Sequence, residues 1–278
     1  MMNPLRSGNN RLAFSPTHAT ATRIRPIALP VEHGGWGLAL EPVVLGLLVA
    51  PSAAGFGLAF ATMGAFLARH PLKLLASDRR NNRRFRRTKI AARFVSLYGA
   101  ICLLGLLVAV AAAPDKQFLW PLLFAAPFAA VQLIWDARGQ SRALWPELAG
   151  ATAMAAVAAS MALAGGLAWP IAFGLWAVLA ARVAPTILYV RARLTRLHGK
   201  KAASAPVIAA HLAALAFIIY LASLKAVPLL ATAALVVLLL RAAIGFVTNR
   251  PRTAKIIGIG ELCFGALTVL TVALGHLS

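Results

Sequence analysis

Acidic residues are scarce in this sequence. Its 278 residues include 7 Asp and Glu against 28 Lys and Arg, which gives a formal net charge of +21. Only 13% of the residues are charged and 60% are hydrophobic, whereas a soluble domain has about 25% charged residues. The composition therefore predicts a polytopic membrane protein. Its excess of basic residues points to a lipid bilayer with anionic headgroups as the partner, and not to nucleic acid.

Cysteines and cofactor-binding motifs are also sparse. Cys102 and Cys263 lie inside apolar runs, where a free thiol packs as a small hydrophobic group. The chain has no Walker A loop, no Gly-x-Ser-x-Gly, no haem attachment motif and no Cys/His spacing typical of a metal site. Its acidic residues are not close enough together to act as paired metal ligands. We therefore predict no metal and no cofactor.

The first 28 residues contain no apolar core before a cleavage site, so they are not a signal peptide. We predict a disordered, basic cytoplasmic tail over residues 1–28 and a single all-α transmembrane domain over residues 29–278. Nine apolar segments follow the tail, and most are near the roughly 20 residues that span a bilayer. They cover residues 36–50, 53–75, 94–113, 118–135, 144–163, 168–190, 206–224, 229–247 and 256–277.

The basic residues predict the orientation of these segments. Ten of them lie between Arg69 and Arg93, and we predict a loop there because each central Arg or Lys costs about 2.5–3.5 kcal/mol in a bilayer. Cytoplasmic loops are enriched in Lys and Arg. With the N-terminus inside and flanking residues such as Arg182 and Arg241 assigned to the nearer side, nine helices place every basic residue except Lys116 and Lys225 on the cytoplasmic side. This distribution predicts a bundle of nine transmembrane helices, N-in and C-out.

The first candidate site is Pro30-Val31-Glu32-His33-Gly34-Gly35-Trp36, which opens the first helix. Ionisable residues at the ends of membrane helices are costly and usually face the bundle interior. Glu32 and His33 are suited to proton transfer and are the candidate catalytic residues, with Trp36 as a ligand-stacking residue. The structural alternative is a helix-start turn in which Trp36 anchors the helix at the interface.

The second candidate site is basic. Arg69 and Lys73 are four residues apart, so they share one helix face and can grip one anionic group together. The alternative is that both side chains snorkel to headgroups. Asp136, Arg142 and Glu147 flank the fifth helix and are also candidate ligand-binding residues. In the structural interpretation, Arg142 forms an ion pair with Asp136 or with Glu147 and holds the helix ends together.

Arg182 lies about two turns inside the sixth apolar segment. A buried cation needs a counter-ion, and Glu147 and Glu261 are the predicted candidates. Arg182, Arg191 and Glu261 complete the set of candidate ligand-binding residues.

Five stretches carry a family resemblance. They are Pro30-x-Glu32-His33-Gly34-x-Trp36, Arg69-x-Pro71-Leu72, Leu188 to Arg193, Arg142 through Gly150, and Gly258-x-x-Glu261. Together they resemble the YwiC-like family of bacterial integral membrane proteins over roughly residues 28–278. The resemblance implies a multi-pass protein of the bacterial inner (plasma) membrane and assigns no reaction.

The nine-helix layout is also similar to that of the UbiA-type intramembrane prenyltransferases. Those enzymes place Asp-rich motifs that bind Mg²⁺ after helices two and six. Here the matching positions hold Arg69 to Lys73 and Arg191 to Lys201, so cations replace carboxylates. The similarity therefore implies a UbiA-like arrangement without Mg²⁺-dependent prenyl transfer.

From these residues we expect a basic cavity that opens to the cytoplasm and binds an amphipathic anion. A lipid phosphate, an isoprenoid phosphate or a quinone-type molecule fits this description, held directly by guanidinium groups. Whether a reaction follows binding stays open at this level. Two alternatives also stay open: a transporter of a small anion, and an accessory or assembly protein of a membrane complex.

Overall fold

The structure, a computed structural model, describes residues 25–29, 33–82, 85–140, 142–248 and 253–277. Every regular element in these ranges is an α-helix, so the predicted all-α class is confirmed. The helices are α1 (Arg25–Ala28), α2 (His33–Val49), α3 (Ala53–Arg80), α4 (Arg86–Ala112), α5 (Leu119–Ala137), α6 (Leu144–Ala164), α7 (Trp169–Leu197), α8 (Ala205–Ser223), α9 (Leu230–Thr248) and α10 (Ala254–Leu277).

Seven of the described helices, α4 to α10, are long and apolar enough to cross a membrane. Helix α2 is shorter, with 17 residues, and α3 has 28 residues but is charged from Arg69 onward. Large apolar side chains cover the outside of the bundle; on α4, Leu104 is 62% exposed and Leu103 is 58% exposed. Because such a surface is stable only against hydrocarbon, the helices form a multi-pass membrane domain.

The basic block between Arg69 and Arg93 is mostly helical, so the predicted loop is wrong. Helix α3 continues through Pro71 to Arg80, and α4 begins at Arg86. Both helices extend beyond their apolar parts, so their charged side chains leave the hydrocarbon without ending the helix. Asp78 joins the two helix ends, accepting hydrogen bonds from Arg87 Nη2 and from Thr88 Oγ1, both at 2.7 Å.

The short helix α1 falls within the segment that the sequence analysis assigned to the N-terminal tail. It packs against α3 and α4, and Ile27 is 6% exposed. The Tyr98 hydroxyl donates to the carbonyl of Ala28 at 3.2 Å, and His70 Nε2 lies 2.9 Å from the carbonyl oxygen of Pro26. The rest of the predicted tail, residues 1–24, lies outside the described residues.

Helices α6 and α7 form the centre of the bundle. The buried face of α6 is built from small side chains such as Ala155, Ala158 and Ala162, which let neighbouring helices approach closely. Helix α7 contacts α6, α8, α9 and α10, and α2 contacts α3, α6 and α10. This arrangement brings α2, α7, α9 and α10 around one interior region.

Helices α3 and α4 pack closely against each other, and glycines make this approach possible. A Cβ atom at Gly105 would lie 2.5 Å from the backbone nitrogen of Ala61 and 2.6 Å from the carbonyl oxygen of Gly57. A Cβ at Gly57 would in turn lie 2.7 Å from the backbone nitrogen of Ala109. Backbone atoms cannot swing aside as side chains do, so any larger residue must push the helices apart.

This contact predicts opposite effects for two Gly→Ala substitutions in the same helix. Gly105→Ala should destabilise the protein by about 1–3 kcal/mol because the new methyl group overlaps α3. Gly99→Ala is the matched control, since a Cβ at Gly99 meets nothing within 4 Å. It should be neutral or stabilising by up to about 1 kcal/mol, the difference in helix propensity. Thermal unfolding of the purified variants in detergent measures both, and equal stabilities would contradict the described packing.

Candidate functional site

A buried ion pair joins α2 to α7. Arg182, which is 2% exposed, donates from Nη1 to Glu41 Oε2 at 2.6 Å. Its Nη2 donates to the backbone carbonyl of Glu261 on α10 at 2.9 Å. Of the predicted counter-ions of Arg182, Glu147 is wrong, because it pairs with Arg191. Glu261 accepts a hydrogen bond through its main chain and its carboxylate attracts Arg182 electrostatically, but the direct ion pair is with Glu41.

A second pair joins α9 to α10. Arg241 Nη1 donates to Glu261 Oε1, and its Nη2 lies 3.4 Å from the hydroxyl oxygen of Thr186 on α7. The guanidinium carbon lies 4.1 Å from the centroid of the Tyr189 ring, a favourable cation–π distance. Arg182, Thr186 and Tyr189 are spaced by four and three residues, so they share the face of α7 that meets both pairs.

We call Glu41, Arg182, Arg241 and Glu261 the buried ionic cluster. Arg182 and Glu261 were predicted from the sequence as ligand-binding residues, whereas Glu41 and Arg241 were not. A signal for both was present, because each is a charged residue inside an apolar segment, and such residues usually have a charged partner within the bundle. What the sequence does not contain is the pairing, since Glu41 and Arg182 are 141 residues apart.

Glycines provide the space that the cluster occupies. A Cβ at Gly265 on α10 would lie 2.0 Å from Glu41 Oε1 and 2.8 Å from Arg182 Nη2. A Cβ at Gly37 would lie 3.3 Å from the same Glu41 oxygen. The carboxylate thus sits against the backbones of two helices, and no side chain larger than hydrogen fits at Gly265 without displacing it.

The cluster is neutral in sum, because two arginines face two glutamates. Such an arrangement offsets the cost of removing each charge from water only if both partners stay in place. Arg182 Nε, Arg241 Nε and Glu261 Oε2 are buried without a hydrogen-bond partner among the described residues. His211 on α8 is also buried, with Nδ1 2.8 Å from the carbonyl oxygen of Val207. The interior between α7, α8, α9 and α10 therefore contains buried polar groups as well as apolar side chains.

Arg69 and Lys73 do converge on one anionic group, and that group belongs to the protein. Arg69 donates to both carboxylate oxygens of Asp136, from Nε at 2.7 Å and from Nη2 at 3.2 Å. Lys73 Nζ lies 3.9 Å from Asp136 Oδ1. The predicted pairing of Asp136 with Arg142 is wrong, and the shared helix face of Arg69 and Lys73 instead ties α3 to the end of α5.

Arg191 makes the corresponding contact at the end of α7. Its Nη1 donates to Glu147 Oε2 and to the backbone carbonyl of Arg142, both at 2.9 Å. The predicted pairing of Arg142 with Glu147 is therefore also wrong. Arg191 and Glu147 have side chains about 40% exposed, so this pair lies at the surface and joins α7 to the start of α6.

The Glu32–Trp36 stretch is only partly described. Glu32 lies outside the described residues, and His33 begins α2 but its side chain is not described either. Trp36 packs edge-on against Phe66 of α3, with ring centroids 5.2 Å apart and planes at 71°. The role of Glu32 and His33 as a catalytic pair stays a prediction.

An open basic cavity of about 480 Å³ lies at the protein surface after α7, lined by Arg196, Gly199, Lys200, Lys201 and Ala202. Arg196 donates from Nε and Nη2 to the carbonyl of Ala202, at 3.1 and 2.8 Å, and lies 4.5 Å from the centroid of the Phe246 ring. Lys200 and Lys201 are exposed. None of the described carboxylates forms a salt bridge with these three cations, whereas Arg69, Lys73, Arg182 and Arg191 each pair with one. Arg142 is the one predicted cationic ligand that also has no salt bridge among the described residues.

In the described ranges, no group of three or more His, Cys, Asp or Glu residues lies close enough together to hold a metal ion. Cys102 and Cys263 are free thiols. The ionisable chemistry that the structure brings together is therefore ion pairing within the membrane and an unneutralised basic cavity after α7.

Comparison with known proteins supports the family resemblance over the first part of the chain; the stretches Leu188 to Arg193 and Gly258 to Glu261 lie outside the match. The family model described as YwiC-like protein matches residues 29–162, a range that includes α2 to α5 and most of α6. This match contains Glu41, Arg69, Asp136 and Glu147 but ends before Arg182. Comparison with curated proteins and with solved structures finds no match.

Proposed function

We propose that this chain, a YwiC-like membrane protein by its match over residues 29–162, binds the anionic headgroup of an amphipathic molecule. The headgroup would lie in the basic cavity after α7, with the apolar part of the ligand along the bundle. A lipid phosphate or an isoprenoid phosphate has this chemistry. The bacterial inner membrane is the compartment that the family resemblance implies, and the cavity would face the cytoplasm.

The observation that carries this proposal is the distribution of ion pairs. Carboxylates of the protein already contact Arg69, Lys73, Arg182 and Arg191, so a ligand anion would have to displace them. Arg196, Lys200 and Lys201 line a cavity in which none of the described carboxylates forms a salt bridge with them. The proposed site therefore moves from the predicted arginines to the end of α7 and the residues that follow.

The cavity combines a fixed cation with two adaptable ones. Arg196 is held by the carbonyl of Ala202 and by the Phe246 ring, which leaves its Nη1 group to bind an anion. Lys200 and Lys201 are flexible point charges that can close on a phosphate from either side. Gly199 has a φ of +74°, a backbone conformation that glycine adopts without strain and that turns the chain around the cavity. These donors bind phosphate directly and would repel Mg²⁺.

The proposal includes a topology in which α2 to α10 all cross the membrane, with the N-terminus inside. Successive helices then alternate in direction. The connections after α3, α5, α7 and α9 lie on the cytoplasmic side, and these carry nearly all the basic residues between helices. The connections after α4 and α8 carry Lys116 and Lys225 and lie outside.

The two ends of α8 provide a matched test of this topology. Ala203→Cys and Ser223→Cys would be introduced separately into a Cys102→Ala/Cys263→Ala background, since both positions are exposed. A membrane-impermeant maleimide added to intact cells should label the cysteine at 223 and not the one at 203. The labelling should reverse in inverted vesicles, and labelling of both positions from one side would contradict the topology.

The binding proposal predicts a selective loss of ligand affinity. Lys200→Gln/Lys201→Gln should weaken binding of farnesyl monophosphate and of phosphatidic acid about 30-fold, because each cation contributes about 1 kcal/mol toward an anionic group at a membrane surface. Native mass spectrometry of the detergent-purified protein measures the affinity.

Arg86→Gln/Lys89→Gln is the matched control, since it removes the same charge from exposed positions at the proposed cytoplasmic end of α4. The control should bind the ligands as the wild type does. Equal weakening in both variants would show that the cations attract lipid only as a diffuse surface charge, and the cavity would then not be a site.

A further inference from the structure

The guanidinium group of Arg196, which lines the basic cavity, is held by two contacts within the protein. The carbonyl oxygen of Ala202 accepts hydrogen bonds from Arg196 Nε at 3.1 Å and from Nη2 at 2.8 Å. The guanidinium carbon also lies over the Phe246 ring, 4.5 Å from its centroid. One edge of the planar group is therefore occupied, and its position over the ring is fixed.

The opposite part of the guanidinium group keeps donors for a ligand. A guanidinium group carries five N–H donors in a rigid fork. The Ala202 carbonyl uses the Nε hydrogen and one Nη2 hydrogen of Arg196, so both Nη1 hydrogens and the second Nη2 hydrogen remain. One hydrogen from each of these two nitrogens points out of the end of the fork. Such an edge matches two oxygen atoms of one phosphate, and a lysine ammonium has no equivalent.

The ring that holds Arg196 is supported by a second ring, that of Tyr189 on α7. The rings of Tyr189 and Phe246 meet edge to face, with centroids 5.6 Å apart and planes at 77°. Tyr189 is 8% exposed, and the guanidinium carbon of Arg241 lies 4.1 Å from the centroid of its ring. A chain of direct contacts thus runs from the buried ionic cluster through Tyr189 and Phe246 to Arg196.

Close packing between α7 and α9 fixes this aromatic pair. A Cβ at Gly245 on α9 would lie 2.3 Å from the hydroxyl oxygen of Tyr189 and 3.1 Å from its Cε2 atom, so the tyrosine ring rests directly on the α9 backbone. Arg193 Nη1 donates to the Gly245 carbonyl at 2.5 Å. Ala202 packs against the apolar group that contains Tyr189. The carbonyl and the ring that hold Arg196 therefore belong to one packed unit.

We propose that Arg196 binds two oxygen atoms of one phosphate through the free edge of its guanidinium group, and that Phe246, supported by Tyr189, is the positioning residue for that edge. This inference rests on the proposed function, since the phosphate is that of the headgroup in the basic cavity. It adds the binding geometry: Arg196 supplies paired, directed donors, whereas Lys200 and Lys201 supply point charges. Affinity therefore depends on the donor geometry at Arg196 and on the presence of a ring at Phe246.

Arg196→Lys separates donor geometry from charge. The substitution keeps the positive charge but loses the paired donors, so binding of farnesyl monophosphate should weaken about tenfold, the effect of losing one charge-assisted hydrogen bond. Native mass spectrometry of the detergent-purified, full-length protein measures the affinity. Arg86→Lys is the matched control, because Arg86 is exposed at the start of α4. It should bind the ligand as the wild type does.

Phe246→Leu tests the positioning role in the same assay. It should weaken binding about fivefold, because the freed guanidinium group must then be immobilised when the ligand binds. Phe246→Tyr keeps the ring and should restore wild-type affinity. In an Arg196→Gln background, Phe246→Leu should have no further effect, since no guanidinium group remains to be positioned. Phe128→Leu, at a ring that is 42% exposed on α5, is the control and should leave the affinity unchanged.

Two results would overturn the inference while leaving the basic cavity as a site, provided that Lys200→Gln/Lys201→Gln still weakens binding. Wild-type affinity in Arg196→Lys would show that this residue contributes only its charge. A loss in Phe246→Leu that persists in the Arg196→Gln background would show that the ring acts through the fold and not through Arg196. If Lys200→Gln/Lys201→Gln binds as the wild type does, the proposed function fails and this inference fails with it.

Discussion

The fold depends on keeping charge paired inside hydrocarbon. Glu41 with Arg182 and Glu261 with Arg241 place four charges within the apolar part of the bundle, where an unpaired charge costs several kcal/mol. The four residues belong to α2, α7, α9 and α10. Forming both ion pairs therefore fixes the position of these helices relative to one another. Apolar contacts between helices select one arrangement far less strongly, because apolar side chains can pack in many relative helix positions.

Because acidic residues are scarce, the need to pair buried charges affects the basic residues of the whole bundle. Of the acidic residues that the structure describes, only Asp115 lacks a Lys or Arg partner. Asp136 and Glu147 connect helix ends at the surface, while Glu41 and Glu261 connect helices in the interior. Apart from Asp115, the described carboxylates are thereby occupied, and Arg196, Lys200 and Lys201 are among the described cations that pair with none of them. The proposed headgroup site follows from that imbalance.

The sequence predicted the helical class and the multi-pass character, because long apolar runs leave few other structures in a bilayer. The prediction of a loop at the basic block was wrong, because α3 and α4 continue as helices beyond their apolar parts. A high density of charged residues indicates where a chain leaves the membrane, but it does not indicate where a helix ends. The sequence also failed to predict the direct ion-pair partners of Asp136, Glu147 and Arg182. Those pairs join residues 44 to 141 positions apart, so they depend on helix packing that local patterns do not contain. Glu32 and His33 lie where the structure does not test them.

A double-mutant cycle on Glu41 and Arg182 tests the central role of the buried pair most directly. In thermal or chemical unfolding of the purified protein, Glu41→Leu and Arg182→Met should each destabilise it by about 3–5 kcal/mol, because each leaves one buried charge without its partner. The double variant should recover most of that loss. The same cycle on the exposed pair, Glu147→Leu with Arg191→Met, should show a coupling of less than about 1 kcal/mol. Additive losses at Glu41 and Arg182, or single variants as stable as the wild type, would contradict the account.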